Sequence, residues 1–95
     1  LTFEPPDRAT FRCLGLAERA GRSGATAPAW MSAANEVAVD AFLSGRIAWS
    51  GIADLVERSL DRWDGSAADS LDAVLAADSA ARRVTVELLD SEVLS

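Results

Sequence analysis

The sequence predicts an all-α fold, a four-helix bundle-like domain preceded by a short extended linker. Three observations carry that prediction. Apolar residues recur at three- and four-residue spacings in four separate stretches, which is the repeat of one helix face. Nineteen of the 95 residues are alanine, the best helix former and one that lets helices approach closely. Period-two alternation, the mark of a half-buried strand, is never sustained. "RVTVELL" and "SEVLS" come nearest to it, and a helical phase runs through the first of them.

The elements follow in order. Residues 1–7, "LTFEPPD", read as the extended linker, because Pro5 and Pro6 disfavour helix before them and Asp7 can cap the first helix. Residues 8–95 form the bundle. A first helix is expected over residues 7–22, with Phe11, Leu14 and the short residues around Leu16 facing inward, and "GRSGATAP" breaks it. Thr26 then caps a second helix that accepts Pro28 in its first turn and ends near Gly45. A third helix is predicted over 50–63, its apolar stripe being Ile52, Leu55, Val56, Leu60 and Trp63. "DGSAAD" is a loop offering Ser66 or Asp69 as a cap. A fourth helix over 70–89 starts its stripe with Leu71, Val74 and Leu75 and continues it through Ala81, Val84 and Leu88.

The second helix is the distinctive one. At 100° per residue, Ser32, Glu36, Asp40 and Ser44 make a narrow polar stripe. Trp30, Ala34, Val37, Ala38, Ala41 and Phe42 cover most of the remaining circumference, so this helix should sit at the centre of the bundle, and a charge placed at Val37 should unfold it.

Composition excludes several kinds of function. The net charge of −6 and the pI of about 4.4 would repel nucleic-acid phosphates and anionic lipid. No apolar run is long enough to span a bilayer, and the opening residues do not form a signal peptide. A lone cysteine, Cys13, cannot close an internal disulfide; it suits a reducing, cytoplasmic compartment and reads as a small buried hydrophobe. The absence of His and Lys removes the usual general base, the Schiff-base amine and the commonest metal ligand. The six glycines form no phosphate-cradling loop. The expectation is therefore no catalytic residue, no cofactor-binding residue and no metal ligand in this segment.

Three residues stand out as structural candidates. Asn35 lies off the polar stripe beside Ala38 and Phe42, where a buried amide must be hydrogen-bonded. Loop backbone is the expected partner and a ligand the alternative. Asp78 lies seven residues on from Leu71 and shares the apolar face of the fourth helix. Arg82, one turn further, can pair with it, or Asp78 can cap a neighbouring helix.

Four blocks then occur in one order: "LTFEPPD", "FRCLGLAERA", "TAP…SAANEVAVDAFLSGRI" and "LDAVLAADSAAR". In these the chain closely resembles the C-terminal part of 1-deoxy-D-xylulose 5-phosphate reductoisomerases. The "AANEVAVDAFL" block carries most of the specificity. The resemblance implies a helical bundle that supports an N-terminal dinucleotide-binding domain and a central catalytic domain of the same chain. It places NADPH, a divalent cation (Mg or Mn) and the phosphosugar in those two domains, and it leaves open a homodimeric parent. The opening on Leu rather than Met agrees with a piece of something longer. The alternative is a free-standing helical interaction or dimerisation module derived from the family. The chain departs from the family pattern at Ser32, where Asn is usual, and at Arg12, where Pro is frequent. Trp30 and Trp49 stand where smaller apolar residues are expected, so Trp30 could mark altered packing against a neighbouring domain.

Overall fold

Why the second helix is so apolar becomes clear from the order in which the helices pack. A computed structural model of the chain describes the backbone of residues 5–94 and the side chains of residues 11–91. Its helices are α1 (Pro5–Ser23), α2 (Ala27–Leu43), α3 (Trp49–Leu60) and α4 (Leu71–Leu94). Ion pairs fix their directions. Arg12 reaches Asp54 and Glu57, and Arg19 reaches Asp61, so α1 and α3 run the same way. Glu36 with Arg82 and Arg46 with Asp90 set α2 and α4 parallel to each other, and the hydrogen bonds of Trp30 to Ser59 and of Trp63 to Thr26 set α2 against α3. The topology is up-down-up-down.

Among the described residues α1 and α4 do not pack on each other, whereas α2 and α3 each pack on every other helix. The bundle is thus two triangles sharing the α2–α3 pair, and it is flat, 44 × 34 × 18 Å. Alanine makes the close α2 contacts possible: Ala27, Ala33, Ala34, Ala38 and Ala41 are all buried. Facing them are Ile52, Leu55, Val56 and Leu60 of α3, Ala81, Leu88 and Leu89 of α4, and Leu16 and Ala20 of α1.

The helix ends follow local chemistry. After Leu43 the chain takes Ser44 as C-cap and Gly45 in the left-handed region at φ +79°. The Gly45 amide then bonds the Phe42 carbonyl and the Arg46 amide bonds that of Ala41, which closes α2 as a Schellman motif. Ser70 caps α4, its Oγ accepting from the Ala73 amide at 3.1 Å, in place of the expected Ser66 or Asp69.

Several expectations are corrected. Pro5, Pro6 and Asp7 belong to the first turn of α1 rather than to an extended linker, because proline's missing N–H costs nothing where the helix has no acceptor for it. The rest of that linker, residues 1–4, lies outside the described residues. Phe11 and Leu14 face outward, being 58% and 56% exposed. Helix α1 is peripheral and meets its neighbours along one face only, and Leu16 and Ala20 occupy it. At the start of α4 the alanine edge faces α2, so Leu71 and Leu75, far around the helix from Ala77, are exposed. Val37 is half-buried, and the centre of α2 lies at Ala34 and Ala38. The polar stripe of Ser32, Glu36, Asp40 and Ser44 is exposed as expected.

Candidate functional site

The most organised polar chemistry lies inside the bundle. Trp30 on α2, Ser59 on α3 and Thr85 on α4 are almost wholly buried. The Thr85 hydroxyl donates to the Ala81 carbonyl at 2.6 Å, the back-bond that threonine makes within its own helix. Thr85 Oγ1 must then accept at 2.7 Å from the Ser59 hydroxyl. Ser59 Oγ in turn accepts from Trp30 Nε1 at 3.1 Å, and the same N–H reaches the Ser59 carbonyl at 2.9 Å. The donors run in one direction through three helices and end on backbone.

A second node locks the α3–α4 loop to the start of α2. Thr26 occupies the N-cap position of α2, yet its side chain caps nothing there. Its hydroxyl instead donates to the Ser66 carbonyl at 2.7 Å and accepts from Trp63 Nε1 at 2.9 Å. Ser66 Oγ lies 2.8 Å away and its backbone carbonyl also takes the Thr26 amide. The turn leading into this node is unusual, since Ala25 as well as Gly24 has positive φ, +51° and +65°. Among the described residues every buried side-chain nitrogen and oxygen has a partner. Neither node has an imidazole or amine beside its hydroxyls, and each ties helices or a loop together.

The expected pair on α4 is present. Arg82 donates from Nε to Asp78 at 2.8 Å and from a terminal nitrogen to Glu36 of α2 at 3.0 Å. Asp78, then Glu36, raise the guanidinium pKa above its usual range, so it is a fixed cation tying α4 to α2. Asn35 differs from expectation. It is half-buried in a shallow depression with Glu36, Val39, Asp40 and Leu43, and its side chain bonds no other described residue. Arg12, where the family pattern frequently has Pro, is a two-pronged link from α1 to α3. Trp49 packs edge-on against Phe42 with ring centroids 5.4 Å apart. Trp30 serves this domain's own interior rather than a neighbour's.

A groove of roughly 250 Å³ runs beside Trp30 between the α3–α4 loop and α4, lined by Ala73, Ala76, Ala77, Ala80, Asp64 and Ser66. It has small apolar walls and one carboxylate. Desolvation holds the half-buried Cys13 thiol above its ordinary pKa, the opposite of an activated nucleophile. Among the described residues no three His, Cys, Asp or Glu side chains come together as a possible metal site. No helix there is long and apolar enough to cross a membrane. The sequence does not reveal either hydrogen-bonded node. Their only signal is a tryptophan or two and hydroxyls at apolar positions, Ser59 falling one residue before Leu60 in an otherwise apolar face.

Comparison with known proteins places the chain in a family. The family model described as the DXP reductoisomerase C-terminal domain matches residues 1–84. A 1-deoxy-D-xylulose 5-phosphate reductoisomerase of Cupriavidus metallidurans is 55% identical over 83 residues, 87% of this chain and 21% of that protein. That of Xanthomonas axonopodis pv. citri is 50% identical over 94 residues, 99% of this chain and 24% of the relative. That of Chloroherpeton thalassium is 43% identical over 91 residues, 96% of this chain and again 24% of the relative. The chain spans less than a quarter of the length of these curated relatives.

Proposed function

The chain belongs to the DXP reductoisomerase C-terminal domain family, and from that premise we propose that it is the supporting domain of an NADPH-dependent 1-deoxy-D-xylulose 5-phosphate reductoisomerase. The parent would form 2-C-methyl-D-erythritol 4-phosphate in non-mevalonate isoprenoid synthesis. What carries the reading is proportion: nearly the whole chain aligns with less than a quarter of each relative, and the family that it matches is described as a C-terminal domain. The nature of the interior supports it, because the buried hydroxyls and indoles are committed to holding helices together.

NADPH and a divalent cation, magnesium or manganese, do not fit the residues of this chain. It has no histidine, no lysine and no glycine-rich loop, and its described carboxylates are paired with arginine or scattered. Polypeptide outside these 95 residues would hold both. The partners are then the dinucleotide-binding and central catalytic domains of the same chain, in the cytoplasm, and this bundle contributes shape and rigidity.

The test is the native product that carries this sequence. With 94 residues making up 24% of a relative, the parent should have about 390 residues and a mass of roughly 41 kDa, and it should oxidise NADPH when given 1-deoxy-D-xylulose 5-phosphate. Size-exclusion chromatography of the same product reads whether it pairs as a homodimer. A native product of about 10 kDa, translated from its own start codon, would refute the proposal and leave a free-standing helical module.

A further inference from the structure

We infer that the half of the bundle where α1 begins is the surface that docks onto the parent polypeptide preceding Leu1, through Phe11, Leu14, Leu43 and Trp49. The inference rests on the proposed function, and it names which face of the domain that function uses.

Seven large hydrophobic side chains are exposed among the described residues, and their placement is uneven. Leu43 is the last residue of α2 and Trp49 the first of α3. Because α1 and α3 run the same way and α2 runs against them, both lie at the end of the bundle where α1 starts. Phe11 and Leu14 lie in the first half of α1, on the side turned away from Leu16 and Ala20. Leu71 and Leu75, in contrast, open α4 at the opposite end.

Chain connectivity selects between the two ends. Four residues span at most about 14 Å, so polypeptide before Leu1 must attach within that distance of Pro5. Helix α1 has 19 residues and is about 28 Å long, which puts the end where α4 opens beyond such a join. Roughly three quarters of each relative's length lies outside the match, enough for a domain to stand against that end. The outward face of α1 also changes character along its length. Phe11, Leu14 and Gly15 are followed by Glu18 and Arg22, an exposed i,i+4 pair that suits the wet margin of an interdomain contact.

The structure supplies matched internal controls. Leu14 and Leu75 are the same residue type at 56% and 55% exposure, and Leu43 and Leu71 at 74% and 73%. Hydroxyl-radical footprinting of the intact native product, read by mass spectrometry, compares each pair without correction for intrinsic reactivity. Labelling follows exposed area, so taking a leucine that is 56% or 74% exposed down to about a tenth of its area slows its labelling about fivefold or more. Leu14 and Leu43 are expected to be protected by that factor relative to Leu75 and Leu71. In the double variant Leu14→Glu, Leu43→Glu, Trp49 should label faster than in the parent, while Leu71 and Leu75 stay unchanged. Equal rates within both pairs, or protection of Leu71 and Leu75 instead, would overturn the docking surface while the proposed function stood. A native product of about 10 kDa removes the occupant, and overturns both.

Discussion

The direction of the buried hydrogen bonds makes Ser59→Ala and Thr85→Val unequal, although each deletes one hydroxyl from a fully buried site. Removing the Ser59 hydroxyl strands no donor. Trp30 Nε1 keeps the residue 59 carbonyl at 2.9 Å, and the Thr85 hydroxyl keeps the Ala81 carbonyl at 2.6 Å. The loss is that of hydrogen bonds with surviving alternatives, about 1 kcal/mol. Thr85→Val preserves shape but takes away the acceptor at 2.7 Å from Ser59, leaving a buried O–H aimed at a methyl group. A stranded buried donor costs about 1–3 kcal/mol, so Thr85→Val should be the worse of the two, by about 1 kcal/mol. Urea titration of the purified chain, followed by far-ultraviolet circular dichroism, measures both. Equal m-values would certify that only stability has changed. In heating experiments the Ser59→Ala loss corresponds to about 4–8 °C for a domain of this size. A Ser59→Ala variant less stable than Thr85→Val would mean that the donors run the other way. Two neutral variants would mean that the network adds nothing to stability.

Other substitutions probe the turns, the core and the loop. Ala25→Gly should stabilise the chain by about 0.5–1 kcal/mol, because a left-handed backbone penalises a Cβ, whereas Gly45→Ala should cost about 1 kcal/mol for the same reason; reversal of either sign in urea titration would contradict that prediction. Ala38→Asp places an unpaired carboxylate at a wholly buried position and should abolish cooperative unfolding; a variant that keeps its helicity and melting temperature would displace α2 from the centre. The Ser66 amide, bonding Asp64 at 3.0 Å, depresses that carboxyl below its ordinary value of 3.8. Its folded pKa is the lower one, so the stability it adds is present above about pH 3.8 and disappears as pH falls through the folded value. The stability difference from Asp64→Asn should therefore be flat at neutral pH and shrink below pH 3.8, and a gap that widens on acidification would reverse the sign.

What the sequence disclosed was the part written in repetition. Four helices, the polar stripe of α2, the glycine stop after it and the Asp78–Arg82 pair all follow from spacing along one helix. Spacing does not say how many sides of a helix have neighbours. The apolar residues of α1 define a wide face, yet a peripheral helix buries only a narrow one, and this is why Phe11 and Leu14 look inward by spacing and face outward in the fold. At the start of α4 spacing allows a leucine edge or an alanine edge to face inward, and the alanine edge is the one that lines the groove beside Trp30. Asn35 illustrates the same limit, since its setting depends on which side of α2 is open. The buried nodes required pairs 26 to 40 residues apart in sequence, and spacing along a single sequence gives no signal for those. The family resemblance, by contrast, rested on four ordered blocks and needed no geometry at all.

That α1 and α4 do not pack on each other among the described residues has a mechanical consequence. Helices α2, α3 and α4 share the Trp30–Ser59–Thr85 chain, while the described side chains that fasten α1 are Leu16, Ala20, Cys13 and the arginines of its surface ion pairs. A tension applied through Leu1 therefore meets the weakest seam first, peeling α1 from the α2–α3 pair while the other three helices stay locked. The domain is built like a tethered block whose leash yields before the block does.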